Sequence, residues 1–338
     1  MSAAEVEFRR ERYSAELLDP RRSFERVRLP LEIRWDPLTG QSSRLLPEGS
    51  LQPPARLDEA RLADQSRTDC PFCAPRVESA TPRFPPEVVP EGRIRRGEAL
   101  LFPNLNAYAQ WSSVSIYSPD RHALGLDELD AALLADNLAA QVAFAGAVLG
   151  HDPASAWISV NANHLPPSGS SIFHPHLQGA ASPVPTTEQH RLAEVAPERF
   201  RDYLEAERGG ERHLGSTGAA DWLASFAPTG PAELRAFVPG CSCPSELDDE
   251  LVRELGRGLS LGLGLYAELG FQSFNLAVYG APAGTRGYPL NLRLVGRAYY
   301  GPLHRSDAMW SERLHAESAT DIAPEQVAAR AAGRFAGG

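Results

Sequence analysis

One pattern occurs twice in this chain and restricts what it can fold into. It is an extended segment, a long helix, a second extended segment, a loop and a third extended segment. In the first copy, Ser112 to Tyr117 alternates small polar residues with Val114 and Ile116, the period of a half-buried strand. Asp127 to Leu149 is an amphipathic helix rich in Ala and Leu, with Gly150 as its stop. Trp157 to Asn161 is extended again, and a loop leads to His174–Gln178. The second copy begins about 120 residues later. Leu234 to Pro239 reads as a strand, Ser245 as the cap of a helix over Glu246 to Leu269 that stops at Gly270. Phe274 to Tyr279 and Leu290 to Val295 complete it. Pro289 to Arg293 stands where His174 to Gln178 stood, without either histidine. Two like units are expected, the second stripped of what marks the first.

That mark is Ser168-Gly169-Ser170-Ser171-Ile172-Phe173-His174-Pro175-His176-Leu177-Gln178. Pro175 fixes its own φ and biases His174 toward extended backbone. On a strand, residues two apart share a face, so His174, His176 and Gln178 are expected to point the same way. A small-residue loop able to approach an anion precedes them. Two imidazoles and an amide suit attack on phosphorus: one imidazole attacks, the amide holds the phosphoryl group, and the other imidazole orients or binds metal. A strand whose histidines are exposed or structurally bonded fits the spacing equally well.

Composition narrows the field. The 338 residues can bury a full core. The net charge of −10 argues against nucleic acid as the main partner. All 33 basic residues are arginine, so any cationic phosphate contact must be a planar guanidinium fork. No apolar run approaches the roughly 18–20 residues of a membrane span. Met1 to Arg12 is too charged for a secretory signal. No membrane partner and a cytoplasmic location are expected.

Four cysteines form two close pairs. Cys70 and Cys73 have the Cys-x-x-Cys spacing that grips one edge of a tetrahedral zinc ion, so two ligands must come from elsewhere. Cys241 and Cys243, one residue apart, have a poor ligand spacing and read as structural.

His174-Pro175-His176-Leu177-Gln178, with Gly169-Ser170-Ser171 before it, resembles the His-Pro-His-x-Gln motif and Gly-x-Ser loop of the galactose-1-phosphate uridylyltransferase family. Arg34-Trp35-Asp36-Pro37-Leu38-Thr39-Gly40 is similar to that family's opening motif, and Leu314 to Gln326 to its closing segment. The likeness spans about residues 30 to 330. It implies an α+β, HIT-like fold of two tandem histidine-triad-type units, each an antiparallel sheet with long helices, the second degenerate. It implies His176 as the nucleophile that carries a nucleotidyl group, Gln178 as its stabiliser, and Ser171 with the loop N–H groups as phosphoryl donors. Asn163, Asn104, Arg34, Gly169 and Ser170 would contact the nucleotide, Arg34 across the interface of a homodimer. A structural zinc would sit on Cys70, Cys73 and His174. His122 would be the fourth ligand, one residue later than the family's Ser-Pro-Asp-His spacing would place it. The expected organisation is an N-terminal arm (1–30), a catalytic half with the zinc (31–190), a helical linker (191–220) and a degenerate half (221–330). The arm is expected to hold a short helix from Ala3 to Leu18. The linker is expected to hold an exposed helix from Pro197 to Arg208. Thr320 or Asp321 would cap a last helix.

The likeness has gaps. The family's second metal site has no counterpart, since Tyr279 stands where a histidine is expected. The closing segment has Ala319 and no lysine where the family reads its hexose. The expected activity is double displacement: His176 takes a nucleoside monophosphate, UMP by the resemblance, from a nucleotide-sugar and passes it to a sugar 1-phosphate. Phosphate or water as acceptor, giving a phosphorylase or hydrolase, is the alternative on the same site. A zinc-stapled nucleotide-binding protein without catalysis is a third.

Overall fold

The computed structural model describes residues 6–51, 55–301 and 309–335. Strands β1 (Arg10–Asp19) and β2 (Glu25–Trp35) form a long hairpin. They share a sheet of order β1-β2-β3-β14 with β3 (Ser42–Leu45) and the later β14 (Ser318–Thr320). The helix expected over Ala3 to Leu18 is therefore a strand from Arg10 onward, with residues 1–5 outside the described part. The reason is non-local. Arg12 faces Glu32 and Glu16 faces Arg28 across the ladder, so opposite charges pair between strands.

Two short helices follow, α1 (Glu59–Arg67) and α2 (Val77–Ala80). The main body then builds on β4 (Ile94–Arg96), β5 (Ala99–Pro103), β6 (Trp111–Ile116), α3 (Ala131–His151), β7 (Trp157–His164) and β8 (His176–Ser182). Helices α4 (Thr187–Ala193) and α5 (Pro197–Arg208) lead to β9 (His213–Thr217), β10 (Ala220–Ala224), β11 (Leu234–Val238) and α6 (Asp249–Glu268). Next come β12 (Ser273–Tyr279) and β13 (Leu290–Arg297). The chain closes through α7 (Trp310–His315), β14 and α8 (Pro324–Ala331).

Ten of these strands form one sheet, order β4-β5-β6-β8-β7-β12-β13-β11-β10-β9. Outward from the central β7–β12 pair, β8-β6-β5-β4 mirrors β13-β11-β10-β9. The repeated pattern is thus one two-unit sheet, and β13 takes in the second unit the place β8 takes in the first. Alternation along the strands sorts their side chains between two faces. Val160, Ala162, Leu177, Leu276, Val278, Leu292 and Leu294 face α3 and α6 in one buried cluster. The two helices cross closely because Gly256 has no side chain; a Cβ there would lie 2.8 Å from the Ala131 carbonyl oxygen. By length and composition α3 is apolar enough to cross a membrane, yet Phe144, Ala145 and Val148 on it are fully enclosed in the core.

Some boundaries shift for identifiable reasons. Asp130 and Asp248 cap α3 and α6, each accepting from the backbone N–H three residues on. Ser245 instead lies in a 3-10 turn, and Ala323 stands at the start of α8 in place of Thr320 or Asp321. Helix α5 is not simply exposed: it buries Phe200, Tyr203, Leu204 and Glu207.

The other face of the sheet is polar along β8, β7 and β12, and in the second unit it carries Arg235 and Arg293. Both donate to one carboxylate oxygen of Asp36, at 2.8 and 3.2 Å, and all three residues are buried. The other Asp36 oxygen accepts from the N–H groups of Leu38 and Thr39, which shapes the Asp-Pro-Leu-Thr turn. Burial pushes the Asp36 carboxyl toward its neutral form, but Arg235 and Arg293 outweigh it and hold the pKa below the usual range. Removing the carboxylate would take from buried Arg235 its ionic partner and leave Arg293 with Glu188 and Glu233. We expect Asp36→Ala to lose about 3–5 kcal/mol in urea unfolding; a loss under about 1 kcal/mol would show the web to be dispensable.

Candidate functional site

Four side chains from three parts of the chain converge beside the start of β8. Cys70 and Cys73 lie in the turn after α1, His122 after β6, and His174 before β8. Their ligand atoms all lie within 4.8 Å of one another. Cys73 Sγ is 3.2 Å from His122 Nδ1 and 3.5 Å from His174 Nδ1, and Cys70 Sγ is 3.7 Å from His174 Nδ1. Around a tetrahedral zinc ion with sulfur at about 2.3 Å and nitrogen at about 2.0 Å, such pairs are about 3.5 Å apart. The spacing fits.

The outer atoms fit as well. His174 Nε2 donates to the carbonyl of Ser118 at 2.9 Å. Ser66 Oγ donates to Leu62 O, so it accepts from His122 Nε2 at 2.9 Å. Both imidazoles therefore carry their proton on Nε2 and turn a bare Nδ1 toward the sulfurs, the state in which histidine binds metal. Burial lowers His174 to about 4 and also lowers His122, so both rings are neutral. Burial and then Cys70 push the Cys73 thiol up to about 12. A cation is what would ionise it, because a coordinating thiol loses its proton to the metal. The set could hold a metal ion with all four positions filled by protein, a structural rather than catalytic arrangement. Metal analysis of Cys70→Ser should show the ion lost together with several degrees of Tm; full metal content would remove this assignment.

Strand β8 begins only at His176. His174 lies in the bend before it and turns into the cysteine cluster, so the single face expected for His174, His176 and Gln178 is corrected to His176 and Gln178. Proline at 175 lets the chain change direction between them. His176 Nδ1 lies 2.8 Å from the His174 carbonyl oxygen, which can only accept. The ring proton is therefore on Nδ1, and Nε2 is left with a lone pair. The His176 ring packs edge-on against Phe72, and the residue is only 7% exposed. Burial holds its pKa below the ordinary histidine value, against a partial rise from the His174 carbonyl. It is a neutral imidazole of fixed orientation.

Across the ladder, Gln178 pairs with Asn161 on β7 and Val114 on β6. It is half-buried, and its amide makes no hydrogen bond among the described residues. Asn163 shares the face of Asn161; its Oδ1 accepts from Asn275 Nδ2 at 2.6 Å, and Asn275 also donates to the Ser168 carbonyl. The amide pair thus ties β7, β12 and the loop together.

The loop itself differs from expectation. Gly169 adopts φ +93°, which favours glycine, and its N–H donates to Pro166 O. The Ser170 N–H donates to Leu165 O, and its hydroxyl to Ile172 O. Gly169 and Ser170 therefore shape the loop, and their N–H groups are engaged within it; Ser171 is exposed. Two expected contacts lie elsewhere. Asn104 sits in the β5–β6 turn, its Oδ1 accepting from Asn106 N, at the opposite end of β6 from the Ile116–His176 pair. Arg34 is buried in its own chain, bound to Glu32, Glu325 and the Phe226 carbonyl. It does not reach outward across an interface.

His164 adds a group that spacing did not single out. It is stacked on Phe274 with 4.9 Å between ring centroids, and burial, then His176, lowers it to about 3. The unfolded chain binds protons on these histidines from about pH 6.5 downward, while the folded chain does not. Stability should therefore fall as pH drops from 6.5 toward 4. In urea titrations of the metal-free protein, His164→Phe should flatten that slope; an unchanged slope would exclude His164 as its source.

No family model matches the chain. In fold it is similar to ADP-glucose phosphorylase from Arabidopsis thaliana, solved with bound ADP-glucose, at 20% identity and TM-score 0.67 over 90% of this chain and 99% of that one. A GalT-like protein from Arabidopsis thaliana is 21% identical at TM-score 0.66, covering 89% and 98%. A uridylyltransferase is 20% identical at TM-score 0.59, covering 90% and 98%. The fold is the one that these uridylyltransferase-like and phosphorylase structures share. An uncharacterised protein of Archaeoglobus fulgidus is 31% identical over 96% of this chain and 97% of its own length. The chain belongs to the family of that archaeal protein.

Proposed function

We propose that this protein is a nucleotidyltransferase working through a covalent nucleotidyl-His176 intermediate. One observation carries the reading: His176, on a strand end, has Nδ1 pinned by the His174 carbonyl and a free, neutral Nε2. Nε2 attacks the α-phosphorus of a nucleotide-sugar, the bond from phosphorus to the bridging oxygen breaks, and a sugar 1-phosphate leaves. A phosphate oxygen of the acceptor then attacks the same phosphorus and the imidazole departs. Gln178, whose amide is uncommitted, donates to the phosphoryl oxygen, with Ser171 as a second donor. Asn163 lies on the face the nucleotide would cover. Zinc on Cys70, Cys73, His122 and His174 would fix the bend before β8 and supply no chemistry to the transfer.

The uridylyltransferase likeness supports a UMP group and a sugar 1-phosphate acceptor, in cytoplasmic galactose metabolism and as a homodimer. Arg34 is given no role in this reading, since its guanidinium binds Glu325 of its own chain. A specific observation favours a second reading. The neighbour at TM-score 0.67 is a phosphorylase with ADP-glucose bound, which supports inorganic phosphate as acceptor and an adenine nucleotide as donor.

Incubation with α-labelled UDP-glucose or ADP-glucose should label the protein through an acid-labile, alkali-stable bond. Sugar 1-phosphate should chase the label off under the first reading, and inorganic phosphate under the second. His176→Ala should abolish labelling with metal content unchanged, and Gln178→Ala should slow turnover by roughly 10²–10³-fold. Wild-type turnover in His176→Ala would refute the mechanism.

A further inference from the structure

The second unit carries its own concavity, remote from the histidine face. It lies between α5 and the segment 280–289 that precedes β13, with Gly240 to Ser242 on its wall. This segment is the second unit's counterpart of the 165–175 loop that precedes β8. Register separates the two places: Asn291 is level with Tyr279 and Ser159, whereas Gln178 is level with Asn161 and His176 lies two residues beyond it. At about 3.4 Å per residue and 4.8 Å per strand, the pocket mouth lies about 14 Å along and about 14 Å across the sheet from His176.

The cavity holds about 450 Å³. This is within the roughly 300–1,000 Å³ range of small-molecule sites. Its floor is apolar, made by Phe200, Leu204 and Tyr288, with the Phe200 and Tyr288 rings edge-to-face at 65°. Tyr288 is held by its hydroxyl, which donates to the Tyr279 carbonyl. The rim carries three arginines, Arg201 and Arg208 two turns apart on α5 and Arg286 on the segment opposite. Arg286 has no ionic partner among the described residues. Arg201 and Arg208 bond Asp202 and Asp221 through Nε and Nη2, which leaves each Nη1 donor uncommitted among the described residues. The one acidic residue on the wall, Glu246, is already saturated by the N–H groups of Ser242, Cys243 and Gly284 and the Ser242 hydroxyl. An apolar floor under a guanidinium rim selects a ligand with an apolar body and an anionic end.

We propose that this pocket is a second, non-catalytic binding site for a nucleoside-phosphate-like anion. The ring packs on the apolar Phe200–Leu204–Tyr288 floor, and the phosphate bridges Arg286 and the α5 arginines.

The probe is adenosine 5′-monophosphate, followed by amide hydrogen exchange on the full chain. Exchange should slow in 197–208 and 280–289, in wild type and in His176→Ala alike, so the result is independent of the catalytic reading. Arg201→Glu combined with Arg286→Glu, both at exposed positions, should weaken that protection at least tenfold while leaving labelling of His176 intact. Inorganic phosphate alone should protect the two segments at least tenfold more weakly than the nucleotide. The proposal is overturned if the nucleotide protects neither segment, if the double variant binds as wild type, or if phosphate binds equally well.

Discussion

The arrangement of the histidine face rests on one hydrogen bond, from His176 Nδ1 to the carbonyl of His174. A single neutral hydrogen bond contributes only about 1 kcal/mol to stability, yet this one decides a tautomer. With the proton held on Nδ1, Nε2 must present its lone pair. The carbonyl is fixed in turn because the His174 ring is held at both nitrogens, by Ser118 on one side and by the thiol cluster on the other. The four-residue cluster that could hold a metal ion and the His176 ring are thus two ends of one backbone unit.

The duplicated sheet shows how one skeleton supports two different surfaces. Alternate residues of each strand face α3 and α6, and these remain aliphatic in both units, from Leu177 on β8 to Leu292 and Leu294 on β13. The intervening residues meet other partners, Phe72 in the first unit and the Asp36 turn in the second. In the first unit they are His176 and Gln178. In the second they are Asn291 and Arg293, and Arg293 is buried beneath the Asp36 turn with Arg235. Two guanidinium groups cannot be enclosed side by side without an anion between them, and Asp36 supplies it. The N-terminal turn therefore depends on the degenerate unit, which makes the second half a structural partner of the first.

Much of the site was legible in the sequence because its chemistry is concentrated in short segments. His174 to Gln178 lies within five residues, and Cys70 and Cys73 within four. His122 was a weaker inference, since it falls one residue later than the Ser-Pro-Asp-His spacing would place it. Arg34 and the N–H groups of Gly169 and Ser170 misled for the opposite reason. Their residue types suit phosphate, but Glu325, Pro166 and Leu165 satisfy them first. The β1–β2 hairpin escaped a local reading because its stabilising pairs, Arg12 with Glu32 and Arg28 with Glu16, join residues far apart in the chain.

Hydrophobic period and helix stops, taken alone, determined two like units, and the His-Pro-His-x-Gln run marked the one that carries the candidate histidines. Those signals are carried by neighbours a few residues apart, where spacing dictates geometry. Tertiary structure alone decided which nitrogen of His176 is free, that His174 leaves the strand face, and that Asp36 binds both second-unit arginines. Each of these depends on a partner brought in from elsewhere in the chain, and hydrogen-bond direction and burial are fixed only when that partner arrives.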